Sequence, residues 1–212
     1  MICSKCGQEL REQAKFCSRC GTEVVEANPV ITDLKTGDEV EMGTIPGSAP
    51  DAGKLKWQVL NVRNNMALLI CKQSICVKTY HKTQTEITWS ECSLREWLNS
   101  DFVNKYFSQS ERNRILASNV TNPDNPQYKT VGGEPTTDKV FLLSLSEAEF
   151  LFADDRARAI GSYWWLRTPG MYSNFAACVN KHGHIEPRGY YVYGNSLCDD
   201  ITVRPVMWIK IG

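Results

Sequence analysis

The sequence has no surplus of charge: 24 Lys and Arg stand against 24 Asp and Glu, a formal net charge of +0. Without a net field or a long basic run, general attraction to nucleic acid or an acidic membrane is not expected. Only contact through a local patch, such as a small N-terminal module, stays open. Long apolar runs are also missing. Stretches such as Val140 to Leu143 and Ala67 to Cys71 fall far short of the roughly 20 residues a membrane helix needs, so no span is expected. Cys3 follows Met1 with no apolar h-region, which argues against a secretory signal and for a cytoplasmic protein. Catalytic signatures are scarce. There is no Ser/His/Asp order, no Gly-rich phosphate loop and no His-Glu-x-x-His helix, and the three histidines, His81, His182 and His184, lack an obvious acidic triad. The expectation is that the protein is not an enzyme.

Cysteine, in contrast, is plentiful. Nine in 212 residues is an odd number in a chain too long to be a small disulfide scaffold. Four of them form two Cys-x-x-Cys-Gly knuckles, Cys3 to Gly7 and Cys17 to Gly21. Each knuckle places two thiolates on one side of a tight turn, and four sulfurs close a tetrahedral site with no position left for a substrate. Gly7 and Gly21 follow the second ligand, where the chain turns with positive φ. The expected ligands of one structural Zn²⁺ are therefore Cys3, Cys6, Cys17 and Cys20. A redox role fits poorly, because no βαβ pattern surrounds the pairs. Cys71, Cys76, Cys92, Cys178 and Cys198 are scattered and are expected to be structural thiols.

Residues 1–24 thus form a zinc ribbon, 25–36 a linker containing Asn28-Pro29, and 37–212 a main domain. Val40, Met42, Trp57, Val59, Leu60 and Val62 fit strands, and Asn64-Asn65 fits a hairpin turn before Met66 to Cys71. Ser93-x-x-Glu96, Ser108-x-x-Glu111 and Ser146-x-x-Glu149 read as capping boxes of short helices, and Val140 to Leu143 as a buried strand. Leu94, Trp97, Leu98, Phe102, Tyr106 and Phe107 recur at helical spacing as a core face. Asn119 to Asp138 is a long polar loop. Its Asn122, Asp124, Asn125 and Asp138 have the oxygens a Ca²⁺ site uses, although Asx turns account for the same residues. Strands before and after a helical middle give an α+β class.

The most unusual stretch runs from Tyr163 to Ile211. It holds Trp164-Trp165-Leu166-Arg167-Thr168-Pro169-Gly170, Ala176-Ala177-Cys178-Val179-Asn180 and Val203-Arg204-Pro205 with Trp208-Ile209. Upstream stand Trp57-Gln58-Val59-Leu60, Ala67-Leu68-Leu69-Ile70, Thr88-Trp89, Leu94 to Asn99 and Thr137 to Ser144. In this order the motifs resemble an uncharacterised bacterial domain family, across roughly residues 37 to 211, whose members commonly carry such a ribbon. That family is similar to the C-type-lectin-like fold shared with formylglycine-generating enzymes and with the variable proteins of diversity-generating retroelements. The resemblance implies a C-type-lectin-like domain of mixed and antiparallel strands with a few short helices. Kinship with the enzymes would imply a copper-binding cysteine pair. Cys71 and Cys76 are suitably spaced for one but lie before the helices, while Cys178 and Cys198 are better placed but wrongly spaced.

The cassette's composition favours binding. Tyr and Trp give rigid contact area, while Asn, Ser and Gly give adaptable hydrogen bonding. Alternation sends Tyr191 and Tyr193 to one face, and Tyr190 and Val192 to the other. The expected surface for a protein or small ligand comprises Tyr172, Asn174, His182, His184, Arg188, Tyr191, Tyr193 and Asn195, together on one exposed face. Kinship with the variable proteins would add diversification at adenines of this segment. Trp164, Trp165, Leu166, Arg167, Arg204 and Trp208 are assigned to the scaffold, the two arginines holding loop carbonyls or a carboxylate such as Asp199 or Asp200. His182 and His184, across a Gly, fit an exposed hairpin tip better than a metal pair. A scaffold role in a larger assembly is the other non-catalytic alternative.

Overall fold

The computed structural model describes residues 3, 5–11, 14, 16–22, 33–47, 53–193 and 200–212. The chain divides into two units, Met1–Val30 and Ile31–Gly212. The larger unit is α+β, and its first sheet begins with β1 (Glu39–Thr44), β2 (Lys54–Arg63) and β3 (Met66–Cys71). Asn64 and Asn65 join β2 to β3 with φ of 47° and 56°, the left-handed pair of a type I′ turn, which matches the twist of the strands it links. The fourth strand is β9 (Val206–Lys210), far away in sequence. The order is β1-β2-β3-β9, with Met66 opposite Lys210 and Ile70 opposite Val206. The far edge of β9 is covered in turn: Phe141 exchanges hydrogen bonds with Val206, Leu116 donates to Trp208, and Lys210 donates to Arg114.

Between β3 and β9 come a 3₁₀ turn at Trp89–Glu91, α1 (Ser93–Trp97), a π-turn segment at Leu98–Phe102, α2 (Val103–Tyr106) and α3 (Gln109–Arg112). The face Leu94, Leu98, Phe102 and Phe107 is buried, as its spacing requires. Ser108 and Glu111 form the expected capping box. The box expected at Ser93 does not form. The Ser93 N–H is taken by His81 Nδ1 at 3.1 Å, so Cys92 becomes the cap and its sulfur accepts from the Arg95 N–H at 3.4 Å.

After β4 (Ser118–Val120) and its antiparallel partner β5 (Thr136–Asp138) the chain runs extended, but Val140 to Leu143 is not a regular strand. It is fully sequestered and makes a single bridge, Phe141 to Val206. The next helix, α4 (Leu145–Phe150), is capped by Ser144 and Glu147 rather than by Ser146 and Glu149. The earlier box prevails because Glu147 also binds Arg167, which a start two residues later would forgo. Then come α5 (Asp155–Arg158) and a second sheet, β6 (Trp164–Pro169), β7 (Phe175–Val179) and β8 (Ile185–Tyr191), in sequence order.

Every residue of β6 and β7 is buried, so both faces of these strands are covered and both Trp164 and Trp165 lie in the core. The segment Ile201 to Pro205 joins the two sheets. Thr202 bridges Trp164 on one side and Val77 on the other, and the Val203 N–H bonds the Cys76 carbonyl at 2.9 Å. Arg167 and Arg204 lock this seam. Arg204 donates to the carbonyls of Cys71 at 2.9 Å and Arg158 at 3.0 Å, with its guanidinium over the ring of Trp164. Arg167 uses Glu147 as its carboxylate and also binds the Leu142 and Thr121 carbonyls. Asp200 serves neither arginine in these bonds, and Asp199 lies outside the described residues.

Candidate functional site

In the ribbon each knuckle closes on itself. Gly7 N–H donates to the Cys3 carbonyl and Gly21 N–H to the Cys17 carbonyl, both at 2.9 Å, with φ of 68° and 67° at the two glycines. These turns aim four sulfurs at one point. Cys3 and Cys20 Sγ are 3.6 Å apart, as are Cys6 and Cys17, and all four lie within 4.8 Å of one another. With Zn–S bonds of about 2.3 Å, the edge of a tetrahedral site is about 3.8 Å, so the donor set and its spacing fit zinc. The Thr22 hydroxyl and N–H favour the Cys20 thiolate and bring it down to about 6. The Lys5 and Cys6 amides lower Cys3. For Cys6 the Gln8 amide acts the same way, but burial and the neighbouring sulfurs outweigh it and push the thiol up to about 12. Beyond these sulfurs the buried core of the ribbon, among the described residues, is Leu10 alone, too little apolar area to hold so short a chain together without a metal.

In the cassette, β7 and β8 pair Phe175 with Tyr191 at one end and Val179 with Ile185 at the other, roughly 13 Å away. Tyr172, Asn174, Tyr191 and Tyr193 gather at the first end. The Phe175 ring lies 5.3 Å from Tyr172 and 4.2 Å from Tyr191, making a continuous aromatic chain. Three loops meet beneath it: Ile87 N–H donates to Ser173, Val192 N–H to Asn174, and His81 N–H to Val192. Arg188 is exposed near this end, its carbonyl accepting from the Met171 N–H at 2.8 Å. Tyr172 and Tyr193 are 53% and 43% exposed, and Val192 is buried on the opposite face.

His182 and His184 lie at the other end, in the β7–β8 turn. Asn180 Oδ1 accepts from both of their N–H groups, at 2.9 and 3.1 Å. His184 Nδ1 pairs with Asp155 Oδ2 at 2.5 Å, while Gly183 presses so closely on α5 that a Cβ there would fall 1.7 Å from the Asp155 carbonyl. The eight expected surface residues are thus split: five at the aromatic end, two histidines at the hairpin tip, and Asn195 outside the described residues.

Of the four oxygen-bearing residues named in the polar loop, three have their oxygens taken by protein donors, while Asn122 donates through Nδ2 to the Glu134 carbonyl and its buried Oδ1 has no hydrogen-bond partner among the described residues. Asp138 accepts from Trp89 Nε1, Thr136 and Arg95, and Asp124 accepts from the Gly132 N–H. Asn125, fully buried, accepts from the Gln127 and Tyr128 amides in an Asx turn and donates to the Pro169 and Pro187 carbonyls, both at 2.8 Å. Its work is to fasten this loop to the last residue of β6 and to Pro187 within β8. Thr130 adds a bond to the Met171 carbonyl, next to Tyr172.

A family described as "Domain of unknown function (DUF6273)" matches residues 64–211. The chain belongs to that family. A zinc-ribbon domain matches residues 2–24, ahead of the DUF6273 domain, and together with the four-cysteine cluster it is consistent with zinc binding. No curated protein and no solved structure matches the chain. Within the DUF6273 domain the described thiols, Cys71, Cys76, Cys92 and Cys178, are free. Cys71 is buried beside Arg204, and burial pushes it up to about 11, whereas Cys76 is half-buried with Tyr106 and Lys78 as neighbours. Cys198 lies outside the described residues. Among the described residues no helix is long and apolar enough to cross a membrane.

Three residues that matter to these sites carry little sequence signal. Thr22 is distinguished only by following the second knuckle glycine. Asn125 is flagged by the proline after it, and Asp155 by its place in the first turn of a short helix.

Proposed function

We propose that this chain is a non-catalytic binding protein whose working surface is the aromatic end of the cassette: Tyr172, Asn174, Arg188, Tyr191 and Tyr193. The partner is a protein or a small ligand. The supporting observation is the ring chain Tyr172–Phe175–Tyr191, rigid at its buried centre and exposed at Tyr172, in a place where three loops meet over a fastened polar loop. Rigid aromatics beside an amide and a guanidinium offer binding area at low entropic cost. The C-type-lectin-like relationship and the kinship with variable proteins of diversity-generating retroelements belong to the same proposal. So do a cytoplasmic location and the absence of membrane or nucleic-acid partners. The ribbon holds one structural Zn²⁺.

Two experiments test the proposal. Affinity capture from the source cell with the wild-type chain should retain a partner that the folded triple variant Y172A/Y191A/Y193A loses; equal capture by both would remove the surface from consideration. The source genome should hold a near-copy of the segment encoding about Tyr163 to Arg204, altered mainly at adenines and beside a reverse transcriptase gene. Its absence would end the diversification part and leave the binding part standing.

A further inference from the structure

The two knuckles of the ribbon share their backbone-to-backbone bonds and differ in the side chain that follows each glycine. Cys3 N–H donates to the Gln8 carbonyl at 2.9 Å and Cys17 N–H to the Thr22 carbonyl at 2.7 Å. The first cysteine of each knuckle is buried, at 5% and 2% exposure, and the second is half-buried. Gln8 and Thr22 both give a backbone amide to the preceding sulfur. Their side chains differ. The Gln8 amide reaches the Glu9 carbonyl at 3.4 Å, while the Thr22 hydroxyl lies 3.1 Å from Cys20 Sγ. Toward a metal-bound thiolate that hydroxyl can only donate. Among the described residues it is the only non-cysteine side chain bonded to a ligand sulfur.

A thiolate bound to zinc keeps a lone pair that attacks soft electrophiles, and two features of the ribbon restrain it. Burial blocks approach to Cys3 and Cys17. At Cys20 the hydroxyl bond withdraws charge from the sulfur and occupies one approach. Cys6 is half-buried, and among the described residues no side-chain hydroxyl bonds its sulfur.

We propose that Cys6 is a modification site, the ligand of the zinc-loaded ribbon at which a soft carbon electrophile adds first, and that Thr22 diverts the attack from Cys20. With a maleimide as the electrophile, the Cys6 sulfur lone pair forms a bond to one alkene carbon. The π pair shifts to the neighbouring carbon, which takes a proton from water. The thioether that results carries no charge and is a poorer ligand, so the metal is held by three thiolates and is lost more readily.

The test treats the full-length, zinc-loaded protein with N-ethylmaleimide at one equivalent. Adducts are mapped by peptide mass, which separates the ribbon from the other thiols, and released zinc is followed with a chelating dye. Among the four ligands the first adduct is expected on Cys6, with zinc release keeping pace. T22V should raise Cys20 labelling about tenfold, a size within reach of a hydrogen bond to a charged sulfur, and T22S should keep the wild-type pattern. A first adduct on Cys3, Cys17 or Cys20 in the wild type overturns the proposal, as does unchanged Cys20 labelling in T22V. Should T22V fail to hold zinc, Q8T decides: placing a hydroxyl on the first knuckle must slow Cys6 labelling, and an unchanged rate refutes the part given to the hydroxyl.

Discussion

Replacing Arg167 with Met removes a group on which four segments converge. The side chain is 1% exposed. Nε and Nη2 donate to the Thr121 carbonyl at 3.1 and 2.9 Å, Nη1 donates to the Leu142 carbonyl at 2.7 Å, and the two Nη atoms grip the Glu147 carboxylate. Met keeps the apolar stem and drops every donor. Leu142 is fully buried, and leaving its carbonyl unpaired costs about 1–3 kcal/mol. Thr121 is exposed, so water recovers much of what its carbonyl loses. Glu147 is 38% exposed and retains its bond to the Ser144 N–H, so solvation offsets much of the lost ion pair. The net expectation is a loss of about 3 kcal/mol, which for a domain of this size lowers Tm by roughly 6–12 °C. R167K keeps the charge but not the planar fork, and is expected to lose about half as much. Urea unfolding followed by tryptophan fluorescence, with the slope unchanged, measures both values. A loss below about 1 kcal/mol in R167M would refute the view that this residue ties β6 to α4 and to the extended segments at Thr121 and Leu142.

Removal of zinc by a chelator should unfold residues 3–22 and leave the tryptophan fluorescence of the larger unit unchanged; loss of both together would show that the ribbon is not separately stabilised. Replacing Asn65, at φ 56°, with Ala should cost about 1 kcal/mol while Gly should be neutral or stabilising, as read from urea midpoints; equal effects would contradict the type I′ turn. Asp155 tests the strap at the hairpin tip, its pairing from α5 across to His184. Desolvation acts to raise its pKa, but Arg158 and His184 outweigh it and the net shift is downward. Its contribution is therefore present above the ordinary Asp value and is lost as pH falls through the lowered folded value. Wild type should exceed D155N in stability at neutral pH, with the gap closing in that acid window; a gap independent of pH would rule out the strap.

How far the sequence could be read depended on how local the determining physics was. The zinc knuckles, the Asn64-Asn65 turn and the Ser108 cap each rest on a few neighbouring residues, and spacing alone identifies them. The caps at Cys92 and Ser144 were decided by His81 and Arg167, partners remote in sequence. Val140 to Leu143 looked like a strand because it is apolar, but burial and ladder pairing are separate properties and only Phe141 finds a bridge. In β6, alternation predicts that one of Trp164 and Trp165 points outward, yet both are buried because the strand is covered on both faces. At the candidate surface, composition marked the tyrosines. It could not show that the histidines lie at the opposite end of the same hairpin, since that depends on where Asp155 stands.

The pairing of β3 with β9 bears on the order of events during synthesis. As the polypeptide emerges, the ribbon has all its ligands once Cys20 is out and can take metal at once. Strands β1 to β3 follow early, yet Met66–Cys71 has no neighbour on its outer side until Val206–Lys210 arrives, and Arg204 closes the seam to Cys71 across 133 residues. In the interval the nascent chain carries an unpaired apolar edge of the kind that recruits other chains. Such distant contacts also place refolding toward the slow, roughly millisecond-to-second end for small domains. Recovery of the native fold should therefore fall with protein concentration, and any chain released short of Ile209 should be cleared as an unfinished sheet rather than persist as a smaller stable one.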